Sequence, residues 1–362
     1  MYVFGDITTD ARVQRAANAL APDFDVTVLS HNKGKIFESS YFKNVLLEGC
    51  PSFSSLNYIA TVWQAYKYIR ACKPDIFYAH DYFSALLAKL LLDKKFCKRI
   101  VFDEHELIIP ESGKKMRRRQ TFFYRFEKAI VHCVDLVVCA SEERGKLMQE
   151  HYHLLSKPLV INNISQLEIS NNPNSVSILN GLQEFFTCPG VSVVYAGVVS
   201  RVRRIDELLK AVSELTPQFK LLIVGNGDLL EELRERAASY PQLVFASTGS
   251  VPYNCLGAIL SRCDIGFLYY PADTLNNTFC ASNKIYEYAS VGLPMLSNDN
   301  PTVKAIMNEA KIGISTNNLV EGLNIISKDI NYFKDNCQKF TENNQWVSEA
   351  ERLRIAVKEI VY

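Results

Sequence analysis

The chain has 362 residues, 48% hydrophobic and 22% charged, with 40 Lys and Arg against 39 Asp and Glu for a net charge of +1. That length suits about two domains with full cores, and the balanced charge excludes nucleic-acid binding through bulk basicity. No apolar run approaches the ~20 residues of a membrane helix. Met1–Asp6 also lacks the basic lead and apolar core of a secretory signal. The ten cysteines form no CxxC pair and sit mostly in apolar segments, so they read as buried thiols of a reducing cytoplasm rather than metal ligands.

Strand-like runs alternate with helical periods along the chain. Val13, Ala16, Ala17 and Leu20 form a helix face ahead of the run Val26–Leu29, and Ile59, Val62, Tyr66 and Ile69 form another. Asp75–Ala79, Arg99–Phe102 and Leu136–Cys139 read as strands. The rhythm breaks from about Ser165 to Pro189, where Ser170–Ser175 is polar and turn-rich. A second series follows. Val191–Ala196 ends at Gly197, a helix carries Ile205, Leu208, Leu209, Val212 and Leu215, and Lys220–Val224 ends at Gly225-Asn226-Gly227-Asp228. Asp264–Leu268 and Pro294–Ser297 complete it. Trp346, Ala350, Leu353, Val357 and Ile360 share one stripe of a last helix.

This alternation predicts an α/β chain of two Rossmann-like, doubly wound parallel-sheet domains. The boundaries read 1–165, a linker or hinge at 166–190, 191–342, and a terminal helix at 343–362. That helix either caps its own domain or returns to the first one.

Ligands of open parallel sheets bind beyond the carboxyl ends of the strands, and polar clusters fall there. In Ser282-Asn283-Lys284-Ile285-Tyr286-Glu287, Lys284 and Glu287 are three apart on one helix face. A helix start with a lysine suits a diphosphate, and the carboxylate suits a sugar hydroxyl pair; an ordinary surface ion pair has the same spacing. Arg201, Arg203 and Arg204 follow Gly197 and are spaced for phosphate oxygens. Asp103-Glu104-His105-Glu106 and His80-Asp81 close two strands, which makes His105 a candidate polariser or acid–base group and leaves His80 open between a structural and a functional role. Gly225-x-Gly227 alone is weak, since it lacks the third glycine of a dinucleotide fingerprint. The basic run Lys114–Arg119, ahead of Phe122-Phe123-Tyr124, reads either as a solvated helix start or as a contact with an anionic membrane surface.

Taken together these segments resemble the retaining family 4 glycosyltransferases of the GT-B fold, the polysaccharide-building members in particular. The resemblance runs through Asp10-Ala11-Arg12-Val13, Phe102–Leu107 (similar to a D-x-H-E signature), Pro158–Asn163, Ala196–Arg204, Val224–Gly227, Asn283–Tyr288 with Gly292 and Pro294, and Trp346. It implies two domains facing across a cleft and a UDP- or GDP-linked sugar held mainly by the second. Arg203 and Lys284 would neutralise the diphosphate, with Arg201 and Arg204 as second choices. Glu287 would take the ribose, and the backbone near Gly249-Ser250-Val251 the base. Gly225, Ser282 and Asn283 would complete the donor side. His105 and Glu106 would carry catalysis, and Gly5, Asp10, Arg12, His80 and Asp81 would line the acceptor side, for a glycan or lipid-linked acceptor. No metal or other cofactor is implied, because arginine and lysine carry the charge.

Two departures stand out. Relatives often pair the Glu287 equivalent with a glutamate eight positions earlier, where this chain has Phe279, and only Met1–Thr9 precede Asp10. The expected activity is hexosyl transfer with retention, in surface-polysaccharide synthesis, by a cytoplasmic protein that is peripheral on the inner membrane face. A nucleotide-sugar 2-epimerase of the same architecture and a non-catalytic partner subunit remain the alternatives.

Overall fold

The computed structural model describes residues 1–31, 37–48 and 55–361. It divides into two compact units, Met1–Asn163 with Val347–Tyr362, and Ile164–Trp346.

In the first unit, β1 (Thr27–Ser30) pairs in parallel with β2 (Lys43–Leu46). The parallel series β3 (Ile76–His80), β4 (Arg99–Asp103), β5 (Leu136–Cys139) and β6 (Leu159–Val160) forms the rest of the sheet. Tyr2 joins the two parts by bridging Leu29 and Ala79, both in parallel. Its amide donates to the Tyr78 carbonyl at 3.0 Å and its carbonyl accepts from His80 at 3.1 Å. The short lead-in thus supplies the central partner of β1 and β3, and Tyr2 is fully buried there.

The terminal helix Trp346–Glu359 turns Leu353 and Val357 inward. Its buried Glu349 accepts from the Asn162 amide at 3.0 Å and side-chain nitrogen at 3.2 Å. Arg354 and Lys358 pair with Asp23 at 3.3 and 2.7 Å.

The second unit holds β7 (Val191–Ala196), β8 (Phe219–Val224), β9 (Phe245–Gly249), β10 (Ile265–Leu268), β11 (Met295–Ser297) and β12 (Gly313–Ser315). They lie in the order β12-β11-β10-β7-β8-β9, all parallel. Strand order therefore reverses between β7 and β10, the place where such sheets open a crevice beyond their carboxyl ends. All six residues of β8 are buried, as expected of a strand covered on both faces.

The segment read as a linker, 166–190, is instead part of the second unit's core. Asn172 caps the helix Pro173–Gly181 by accepting from the Ser175 amide at 2.9 Å, with Pro173 in its first turn. A second helix, Gln183–Thr187, follows. Leu167, Leu179, Leu182 and Phe185 join the apolar core. The buried Lys220 of β8 donates to the carbonyls of Phe185 at 2.8 Å and Cys188 at 2.6 Å, which fixes the end of the segment. The Ser-Asn-Asn-Pro-Asn-Ser run is a helix start, and its polarity misled the composition argument.

Candidate functional site

In the second unit the polar groups gather where β7 and β10 end. The loop after β7 runs against the loop after β8, with the Gly197 amide donating to the Val224 carbonyl and the Val199 amide to the Asn226 carbonyl, both at 2.9 Å. A Cβ on Gly225 would lie 1.9 Å from the Gly197 oxygen, and one on Gly227 1.9 Å from the Val199 oxygen. Close backbone approach is therefore the reason for both glycines.

The chain then makes one tight turn, Arg201–Arg203. Arg203 Nη1 donates to the Tyr269 carbonyl just past β10 at 2.8 Å, and its guanidinium lies 4.8 Å over the Tyr270 ring. The Tyr270 hydroxyl meets Ser282 Oγ at 2.7 Å. This contact chain brings Arg203 to the start of the helix Asn283–Ser290. Ser282 makes no side-chain cap on that helix, its hydroxyl being turned to Tyr270 instead. Arg201 and Arg204 do not join this cluster. Both are exposed, and they pair with Glu232 and Glu207.

Lys284 Nζ and Glu287 Oε2 are 2.7 Å apart. The pair is not an ordinary surface bridge, because Glu287 is buried and its Oε1 accepts from the Tyr253 hydroxyl at 3.1 Å. That hydroxyl also meets Ser165 Oγ at 2.7 Å. Asn283 Oδ1 is buried without a partner. Val251 follows β9 and packs half-buried on the core. Phe279 ends the short helix Leu275–Thr278, so the chain has no carboxylate there.

In the first unit His80 and Asp103 are the last residues of β3 and β4 and are register partners. Asp103 Oδ1 accepts from Arg12 Nη2 at 2.6 Å and Nε at 3.2 Å, and Oδ2 accepts from the Tyr78 hydroxyl at 3.1 Å. Arg12 Nη1 donates to the Ile161 carbonyl at 3.0 Å. Arg12 is thus turned inward, which corrects its assignment to the acceptor side. Asp10 caps its helix, Ala11–Leu20, through the Val13 amide at 3.1 Å. The Gly5 carbonyl accepts from the His31 amide at 2.9 Å.

His105 Nε2 lies 3.3 Å from His80 Nδ1 and 3.7 Å from Asp103 Oδ2. Its ring is 15% exposed, whereas His80 is fully buried. Burial works to raise the Asp103 carboxyl, but Arg12 holds it well below the carboxylate range. Burial pulls His80 down to about 4. Burial works the same way on His105, yet the Asp103 carboxylate outweighs it and the imidazole is raised. Burial raises Asp81 to about 7 and lifts Glu104 and Glu127 as well. Glu106 is exposed. His80, Asp103 and His105 place ligand-type atoms within 4.8 Å of one another. The Arg12 guanidinium already neutralises that carboxylate and opposes a cation beside it.

Sequence reasoning did not assign Tyr253, Tyr270 or Arg144, whose Nη1 donates to the His105 carbonyl at 2.6 Å. It quoted Asp103 but gave it no role. Only Asp103 carried a local signal, through its place in the acidic run around His105.

Residues 11–164 match the model of Glycosyltransferase Family 4, and residues 190–340 that of Glycosyl transferases group 1. No curated protein matches the chain. Among solved structures, sucrose-phosphate synthase from Thermosynechococcus elongatus is similar at 16% identity and TM-score 0.68, over 97% of this chain and 90% of that one. HepE of Anabaena, solved with UDP and glucose, is similar at 13% identity and TM-score 0.73, over 99% and 98%. WaaG, a glycosyltransferase involved in lipopolysaccharide biosynthesis, is similar at 14% identity and TM-score 0.66, over 97% and 96%. At these identities the likeness is one of fold.

Proposed function

The chain belongs to the family 4 glycosyltransferases of the GT-B fold, and from that premise we propose that it transfers a hexosyl group from a UDP- or GDP-linked sugar to a glycan or lipid-linked acceptor, with retention, in surface-polysaccharide synthesis. The observation that carries the donor side is the chain of contacts Arg203–Tyr270–Ser282, which puts a guanidinium beside an uncapped helix start bearing Lys284. Two fixed cations and oriented amides match a diphosphate, both in the ground state and as charge builds on the leaving phosphate. On this reading the positive groups replace a metal, and Arg201 and Arg204 have no part in binding.

Glu287, fixed by Tyr253, would accept from the ribose hydroxyls, and Val251 would present backbone to the base. The close backbone at Gly225 leaves room for the donor, and Asn283 offers its unpaired oxygen. His105, partly exposed above a buried carboxylate, would sit beside the transferred sugar and carry catalysis with its neighbour Glu106, and Asp81, next to His80, would face the acceptor. Gly5, Asp10 and His80 shape the surrounding loops. Chemistry of this kind is mostly positioning and leaving-group stabilisation. The complexes of HepE with UDP, glucose and UDP-glucose support a nucleotide-sugar donor.

The exposed basic run Lys114–Arg119 supports a peripheral membrane contact, and no helix among the described residues is long and apolar enough to cross a membrane. Calorimetric titration with a panel of UDP- and GDP-sugars tests the donor assignment. At least one should bind, and Glu287→Ala should weaken it several-fold; no binding by any of them overturns the reading.

A further inference from the structure

At the amino ends of its strands, the far end of the sheet from His105, the first unit holds a cavity of about 610 Å³. We propose that this cavity is a strand slot, which takes the carboxyl-terminal residues of an extended apolar peptide as an added parallel strand. The proposal does not depend on the transferase reading.

The slot follows from the way Tyr2 joins the sheet. Tyr2 bridges Leu29 of β1 and Ala79 of β3, both in parallel. Those two strands therefore stand two strand spacings apart, roughly 9.5 Å. Toward their carboxyl ends the backbone of Met1–Val3 fills the gap. The Val3 amide donates to the Leu29 carbonyl at 3.1 Å, and the Leu29 amide to the Met1 carbonyl at 2.9 Å. The cavity lies one step further toward the amino ends. Asp25, Val26 and Thr27 line it on one side, and Asp75, Ile76 and Phe77 on the other.

In a parallel ladder alternate residues bond to opposite neighbours. On β1 the odd-numbered residues serve the middle strand, Leu29 through amide and carbonyl and Thr27 through its carbonyl, which accepts from the Met1 amine at 2.8 Å. On β3 the even-numbered residues do so, Tyr78 through its carbonyl and His80 through its amide. The same alternation, carried one step on, turns four more groups toward the cavity. These are the Thr27 amide and Asp25 carbonyl on one wall, and the Tyr78 amide and Ile76 carbonyl on the other. Two facing edges of main-chain donors and acceptors are a template for a peptide backbone. The last residue of such a peptide would donate to Ile76 and accept from Tyr78. The residue before it would donate to Asp25 and accept from Thr27.

Three features define the occupant further. The buried Met1 amine closes the inner end of the slot, and a carboxylate is the group that pairs with it, so the peptide ends there. Burial lowers that amine to about 5, and an arriving carboxylate favours its protonated form. The floor is apolar, formed by the buried Leu20, Leu29, Ile69 and Phe77 with Val357 of the terminal helix. The mouth carries Asp25 and Asp75, both exposed, which suit a basic residue where the peptide emerges. The cavity also falls within the size range of small-ligand pockets, about 300–1,000 Å³.

The test is titration of the full chain with the peptide acetyl-Lys-Val-Ile-Leu, its carboxylate free, read by calorimetry and by hydrogen exchange resolved to single amides. One peptide should bind per chain, and exchange at the Thr27 and Tyr78 amides should slow by about tenfold or more at saturation. The same peptide ending in a carboxamide should bind about tenfold more weakly or worse, since it loses a charge-assisted bond. Methylation of its last backbone nitrogen, which removes the donor to Ile76, should weaken it as well. Absence of saturable binding overturns the proposal. So does binding that leaves the Thr27 and Tyr78 amides unprotected, and so does equal affinity for the carboxylate and carboxamide forms.

Discussion

Arg203 and Tyr270 form the joint between two strand ends of the second unit. The guanidinium bonds the chain just after β10 and lies 4.8 Å over the Tyr270 ring, whose hydroxyl reaches the residue preceding the helix Asn283–Ser290. A cation held flat on an aromatic face keeps its outer N–H groups free for oxyanions. The expected consequence separates three neighbouring arginines. Arg203→Ala should weaken donor binding by about tenfold or more, the loss of roughly 1.4 kcal/mol or more, and Arg203→Lys should recover little of it. Arg201→Ala and Arg204→Ala should change it less than about twofold. Calorimetry on the three variants checks this ranking.

Gly227→Ala probes the backbone that carries this joint. The added Cβ would fall 1.9 Å from the Val199 carbonyl oxygen, a contact only backbone movement relieves. Overpacking of this kind costs about 3 kcal/mol. Urea unfolding should show a loss of that order, and a change under about 0.5 kcal/mol would show that the two loops give way freely.

Asp81 gives the first unit a pH dependence of definite sign. Asp81 is half-buried with one carboxyl oxygen enclosed and unpaired, and desolvation raises its carboxyl from 3.8 to about 7. The folded state therefore binds a proton that the unfolded chain has released, and stability from this group falls as pH climbs between those two values. Glu104 and Glu127 act in the same direction, whereas Asp103 acts oppositely at low pH. Asp81→Asn isolates the one group, since Asn has the size and shape of Asp and adds no strain to the backbone at φ 62° and ψ 163°. The variant should gain on the wild type as pH rises, by up to about 4 kcal/mol at high pH. Thermal unfolding at several pH values measures the gap, which must widen with pH.

The exposed run Lys114–Arg119 leads into the helix Arg118–Ile130, where Phe123 is buried and Phe122 is exposed. Arg119 lies over the rings of Phe83 and Phe123 at 5.5 and 5.9 Å, which leaves Lys115, Arg117 and Arg118 facing solvent. Co-sedimentation with vesicles rich in anionic lipid should be lost when those three are made neutral. Each contributes about 1 kcal/mol near such a surface. Equal sedimentation of variant and wild type would remove the membrane reading.

Much of the fold was legible because the inner strands are apolar runs bounded by turn residues. Leu136–Cys139 and Val191–Ala196 fall where the pattern puts them. The strands that the reading passed over have physical reasons for silence. Lys43–Leu46 and Phe245–Gly249 lie at sheet edges, half covered, so neither shows a continuous apolar run. The helices within 166–190 were hidden by a polar cap that also reads as a turn, since Asn and Pro serve both.

At the site, the Lys284–Glu287 pair was visible from three-residue spacing alone. What made it more than a surface bridge, the Tyr253 hydroxyl on a buried Glu287, comes from another helix and leaves no local trace. Arg12 and Asp103 are 91 residues apart, and nothing in either segment announces the other. A motif shows which residues share a turn; the sheet decides which strand ends meet.

The most direct measurement is a crystal structure with UDP bound. The account predicts a diphosphate on the first-turn amides of the helix Asn283–Ser290, contacted by Arg203 and Lys284, with the ribose hydroxyls on Glu287. A diphosphate bound elsewhere, or one held by Arg201 and Arg204 with Arg203 still on the Tyr269 carbonyl, would contradict it.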